Sequence, residues 1–114
     1  MSKQKQHDAV VDTLVERLYK SGRYHSVDTF IKYYNDNFDT IGEMDVVART
    51  PSGDVHIYEC KYKQSCWLER SAKKQLRRAA SRAGFIEPLK LIYHTPEKTT
   101  RVSYDHLGRH LKNT

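Results

Sequence analysis

A chain of 114 residues is one domain, long enough to bury about two-thirds of the surface that its unfolded form exposes. Its 20 Lys and Arg outnumber 14 Asp and Glu, and the net charge of +6 favours a polyanionic partner, nucleic acid ahead of an anionic membrane, although a merely soluble basic surface has the same balance. Cys60 and Cys66 make neither a disulfide framework nor a zinc cluster, and the sequence has no signal-like start or spanning apolar run, which predicts a soluble, cytoplasmic protein.

In chain order, Val11, Leu14, Val15 and Leu18 recur at helical spacing over residues 5–21, and Gly22 is the stop. Asp8 and Asp12 lie along the border of that stripe, with Glu16 further round. Residues 23–39 alternate as a strand does through Val27, Thr29, Ile31 and Tyr33, then end in a polar turn, so the reading is a strand or an irregular crossing. Residues 41–49 and 54–62 favour an antiparallel hairpin across "TPSGD". A helix follows over 67–82 with Leu68, Ala72, Leu76, Ala79, Ala80 and Ala83 on its apolar side and Gly84 at its end, and "PLKLIYH" returns as a strand. This order predicts an α/β fold, a mixed sheet covered by helices, in one domain spanning 1–114. Residues 95–114 read either as a short strand plus a terminal helix or as a peripheral, partly ordered basic tail.

The hairpin carries the chemistry. On a regular strand Glu43, Asp45 and Val47 share one side while Met44, Val46 and Ala48 share the other; on the next strand Val55, Ile57, Glu59 and Lys61 point one way. If the faces coincide, Asp45 and Glu59 converge beside Lys61. Such carboxylates repel and resist ionisation unless a cation neutralises them, and a hard divalent ion suits an all-oxygen donor set. The plainer reading is alternating charge on a half-exposed sheet, with Asp45 in an ordinary ion pair.

"GEMDVVA", followed after a short turn by "VHIYECKYK", resembles the core motif of the PD-(D/E)XK nuclease superfamily, nearest to the small archaeal Holliday junction resolvases and related restriction-type endonucleases. The likeness covers about residues 5–95, including "KKQLRRA" with Gln75 on the helix after the motif. Met44 stands where the family name has proline, and the opening-helix acid, usually glutamate, is here Asp12 or Asp8.

The resemblance implies a restriction-endonuclease-like mixed β-sheet flanked by helices and a Mg²⁺-dependent endodeoxyribonuclease, with Mn²⁺ able to replace Mg²⁺. Asp45, Glu59 and the Cys60 backbone carbonyl would hold the ion, and Lys61 would orient the attacking water and stabilise charge. Asp12, Asp8 or Glu43 would support a second metal, and Gln75 would bond a metal-bound water or the phosphate; otherwise Gln75 is an exposed helix residue. Lys63, Arg70, Lys73, Lys74, Arg77, Arg78 and Arg82 would hold the nucleic-acid backbone, or else form a solvated helix face. His56, facing away from the acids, and His94, at a strand end, read chiefly as structural.

With no room for a target-recognition domain, structure-selective cutting of branched DNA is expected, and the paired cuts of a junction call for a homodimer. The alternatives are a nuclease for single-stranded, flap or nicked DNA in viral or mobile-element replication or repair, and a catalytically inactive nucleic-acid-binding module.

Overall fold

The computed structural model describes residues 2–104. Helix α1 (Lys3–Ser21) starts where the Ser2 hydroxyl accepts from the Lys5 N–H at 3.2 Å. It ends at Gly22, whose φ of 70° turns its N–H back to the Tyr19 carbonyl. β1 (Ser26–Tyr34) runs antiparallel to β2 (Thr40–Arg49), and β2 antiparallel to β3 (Val55–Cys60). Helix α2 (Cys66–Arg82), capped by the Ser65 hydroxyl on the Leu68 N–H, is the crossover that a parallel pair requires; it leads to β4 (Leu89–His94), parallel to β3. β5 (Thr99–Val102) adds to β4 antiparallel. The result is an α/β fold, a five-stranded mixed sheet in the order β1-β2-β3-β4-β5 with two helices. Of the expected tail, 99–102 is the edge strand, and a terminal helix would lie outside the described residues. Among the described residues no helix is long and apolar enough to cross a membrane.

Each sheet face has its own core. Val11, Leu14 and Leu18 of α1 pack with Val27, Val46, Ala48, Tyr58, Cys60 and Ile92. On the other face Ala72, Leu76 and Ala79 of α2 pack with Val47, Val55, Ile57, Leu91 and Tyr93. Burying a side chain such as Leu14 or Leu76 contributes about 1.5–3 kcal/mol, so the two apolar helix stripes hold the sheet between them. Cys60 is buried as a small apolar residue, and Cys66 is exposed.

β1 is both a strand and irregular. Phe30 has φ 54°, a conformation that costs an L-residue free energy, and the β1–β2 ladder pairs Thr29 with Val46 and Ile31 with Met44 while skipping Phe30 and Asp45. The break corrects the expected facing: Val46 and Ala48 pack toward α1, but Met44 joins Val47 on the α2 side. A regular alternation cannot put residues three apart on one face, so the irregularity opposite Asp45 resets it. Gly42 matters for close approach, because the Tyr33 ring occupies the place where a Cβ would stand.

His94 is only 6% exposed, and burial, with Arg17 nearby, pushes it down to about 4. Because the unfolded chain protonates near 6.5, it binds the proton more readily than the folded protein. The contribution of His94 to stability should therefore be intact above about pH 6.5 and be lost as pH falls toward 4, by on the order of 2–3 kcal/mol. The difference in urea midpoint between His94→Gln and the wild type should change with pH across that window; a difference that stays constant would exclude His94 as a source of pH dependence.

Candidate functional site

Asp45 and Glu59 lie at the end of the β2–β3 hairpin where the two strands part. Their ladder runs from Arg49 and Val55 to Val46 and Tyr58, one step short of these acids. Beyond it the Asp45 carboxylate replaces a strand partner: Oδ2 accepts the Cys60 N–H at 2.9 Å. Opening the ladder thus leaves no buried N–H without a partner, and it turns a carboxylate inward beside Glu59.

Both acids are 6% exposed. Burial first and the Asp45 charge second raise the Glu59 carboxyl, opposed by Lys61 and His7. Lys61 Nζ stands 3.6 Å from Glu59 Oε2 and donates to Gln75 Oε1 at 2.8 Å. Gln75 reaches it from α2, one position before the buried Leu76. The fold therefore brings Asp45, Glu59, Lys61 and Gln75 together from β2, β3, the loop after β3 and α2.

The opening helix contributes a residue that is not an acid. His7 Nε2 lies 3.1 Å from Asp45 Oδ2, and the bond with Asp45 raises the imidazole pKa against the opposing effect of burial. Asp8 touches the outer side of the same ring, 3.5 Å from Nδ1, and accepts from Gln4. Asp12 is exposed, and Glu43 is exposed opposite Lys32 on β1. None of these three acids forms a hydrogen bond or ion pair with Asp45 or Glu59. A signal for His7 was present: residues 7, 11, 14 and 18 form one helical stripe, so His7 continues the line of Val11, Leu14 and Leu18.

The basic residues divide. Lys73 is paired with Glu69 at 3.1 Å, Arg77 Nε donates to the Ser103 carbonyl, and Arg78 Nε donates to the Tyr33 hydroxyl. Lys63 lies over the Tyr62 ring. Arg70, Lys74 and Arg82 are exposed on α2, and Trp67, 75% exposed, stands with Arg70, Ser71 and Lys74 along one stripe. Glu69, held by Lys98, Gln64 and Lys73, is lowered to about 2 and ties α2 to the β4–β5 turn.

Among the described residues no three His, Cys, Asp or Glu side chains form a group able to hold a metal ion. The donor set that remains is two buried carboxylates, Asp45 and Glu59, with the Cys60 backbone bonded to one of them through its N–H. Mg²⁺ is commonly bound through one or two carboxylates with water and substrate phosphate completing its shell, and the mutual repulsion at Glu59 is what such a cation would relieve. The chemistry of the set therefore fits a hard divalent ion.

Comparisons with protein-family models, curated proteins and solved structures gave no significant match.

Proposed function

We propose that this chain is a Mg²⁺-dependent endodeoxyribonuclease with a restriction-endonuclease-like fold that cuts branched DNA in the manner of a Holliday junction resolvase. The observation that carries the reading is the placing of buried Asp45 beside buried Glu59 where the hairpin opens, with Lys61 held against both Glu59 and Gln75. Asp45 satisfies the Cys60 N–H, which a neutral polar side chain could also do, so two carboxylates left this close and this dry carry a repulsion that the fold does not require.

Asp45 and Glu59, with the Cys60 carbonyl, would hold the ion; when bound it supplies charge neutralisation at the phosphate and a water acidic enough to attack near neutral pH. The Cys60 N–H and His7 fix the orientation of the Asp45 carboxylate. Lys61, restrained by Gln75, presents its ammonium to the oxygens that gain charge as the phosphodiester is attacked. It acts by position and charge, because a lysine is a poor base unless strongly desolvated. Arg70, Lys74 and Arg82 give salt-sensitive, sequence-independent attachment of the backbone along α2. A homodimer would provide the two matching sites that a four-way junction needs.

The test is one gel: end-labelled junction, linear duplex and single strands, each with Mg²⁺ or EDTA. Paired symmetric nicks in the junction are expected. Cutting confined to single strands or flaps would keep the nuclease and replace its substrate. Gln75→Ala, which frees the Lys61 ammonium, should lower kcat about tenfold with KM little changed, as for a group needed chiefly in the transition state; single-turnover rates on saturating junction check this.

A second reading has its own observation. Lys61 and, when protonated, His7 already face Glu59 and Asp45, so the two acids have partners able to neutralise them without a metal. On this basis the chain is a nucleic-acid-binding module without catalysis, and no metal would yield cleavage of any DNA form.

A further inference from the structure

A cleft of about 430 Å³ opens on the α1 face of the sheet, far from the acid pair. Arg17 of α1, Arg23 of the following connection, Lys90 of β4 and Arg101 of β5 line it, so four separate segments each send one cation to the same space. Among the described residues its lining includes no acid, and none of these four cations is in an ion pair. A solvated helix face differs from this, because there one element carries its charges outward along its own length.

The walls suit an ester rather than a bare ion. Leu18 and Ile92 make an apolar floor. Tyr24 stands edge-on to His56 with ring centres 5.2 Å apart, and its hydroxyl bonds His56 Nδ1 at 2.7 Å and the Tyr58 hydroxyl at 3.0 Å. These bonds fix the ring that forms one wall. The positive field is felt within the cleft: burial, then Lys90, Arg23 and Arg101, push His56 below its usual value, and Asp54 from the β2–β3 turn only partly opposes them. Cations gathered with Asp54 as only a partial counter-charge repel one another, and an anion placed among them removes that cost.

We propose that this cleft binds the phosphate of a nucleotide, with the cations holding the phosphate oxygens and the sugar and base lying on the Leu18, Ile92 and Tyr24 surface. Its volume falls within the roughly 300–1,000 Å³ of small-ligand sites. The phosphate belongs either to a free nucleotide or to a polynucleotide strand. From His7 to Leu18, α1 spans about 16 Å at 1.5 Å per residue, so a strand in the cleft would be held roughly that far from Asp45. The inference does not depend on cleavage.

The Asp45→Asn protein is titrated calorimetrically at low salt with adenosine monophosphate and with a ten-residue oligothymidylate, and amide NMR spectra are recorded at each step. The double variant Arg17→Gln/Arg101→Gln on the same background changes two exposed side chains and leaves the core intact. Expected results are amide shifts at Ser21, Tyr24 and Thr99 and affinity at least about tenfold weaker in the double variant. Loss of affinity for both ligands identifies a site open to free nucleotides. Loss for the oligonucleotide alone, with a salt slope shallower by about 0.7 per cation removed, identifies a strand site. Shifts confined to α2, or affinities unchanged in the double variant, would overturn the proposal. Because wild-type cleavage is assayed separately, failure here leaves the nuclease reading standing, and failure of cleavage leaves the cleft standing.

Discussion

Asp45→Asn should reduce Mg²⁺-dependent cleavage of junction DNA by at least about a thousandfold while DNA affinity stays within about twofold. The side-chain oxygen of asparagine still accepts the Cys60 N–H, so the opening of the hairpin is preserved and the change is confined to charge. On the proposed reading, loss of one negative charge from a set of two carboxylates would remove much of the attraction for a divalent ion and with it the chemistry that the ion would supply. The proposed backbone attachment by Arg70, Lys74 and Arg82 on α2 would be untouched. Cleavage rates from a quenched time course and affinities from gel shift separate the two effects. Wild-type rates in the variant would remove Asp45 from the mechanism. Failure of Mg²⁺ to protect the wild type against thermal unfolding would remove the metal.

Glu59→Gln should also abolish cleavage, and without metal it should stabilise the protein at alkaline pH. In the unfolded chain this carboxyl titrates near 4.5, whereas burial and the Asp45 charge raise it to about 8 in the folded protein. Between those values the folded state holds the proton more firmly than the unfolded state, so stability is greatest below about pH 4.5 and is lost as pH rises toward 8. Glutamine reproduces the protonated form and has no such loss. In EDTA the variant should match the wild type near pH 5 and melt at least about 5 °C higher at pH 9, the shift that about 1 kcal/mol produces in a domain of this size. Added Mg²⁺ should narrow the difference by binding the wild type alone. Parallel melting curves at every pH would show that Glu59 is solvated or satisfied in some other way.

The residues that reach the site were unequally legible. Glu59 and Lys61 follow from strand alternation, which β3 obeys without a break: Val55 and Ile57 pack toward α2, and Tyr58 and Cys60 toward α1. Asp45 was found by its motif, although the alternation used to place it fails at that point, because Phe30 and Asp45 drop out of the ladder together. Gln75 is a candidate from its place in "KKQLRRA", and only the packing of Ala72, Leu76 and Ala79 against the sheet turns it toward Lys61. His7 is not an acid and no motif marks it, whereas its place on the buried stripe of α1 is readable. Asp12 and Asp8 border the same stripe, but the border of α1 at Asp12 faces solvent.

The α2 cations show the same limit. Spacing singles out Lys73, four residues after Glu69, but the partners of Arg77 and Arg78, the Ser103 carbonyl and the Tyr33 hydroxyl, lie on other elements that no spacing along α2 reveals. The basic cleft was not legible at all: Arg17, Arg23, Lys90 and Arg101 are scattered along the chain, and only the sheet order that sets β3, β4 and β5 side by side beneath α1 brings them together.

By itself the sequence determined the α/β class, the two helices with their buried stripes, the antiparallel hairpin and the acid, acid and lysine that it carries, all of which depend on periodicities local to one element. Tertiary structure decided which side chains meet. Proximity between Asp45 and His7, or between Lys61 and Gln75, depends on where separate elements pack, and that is settled by burial on both faces of the sheet at once.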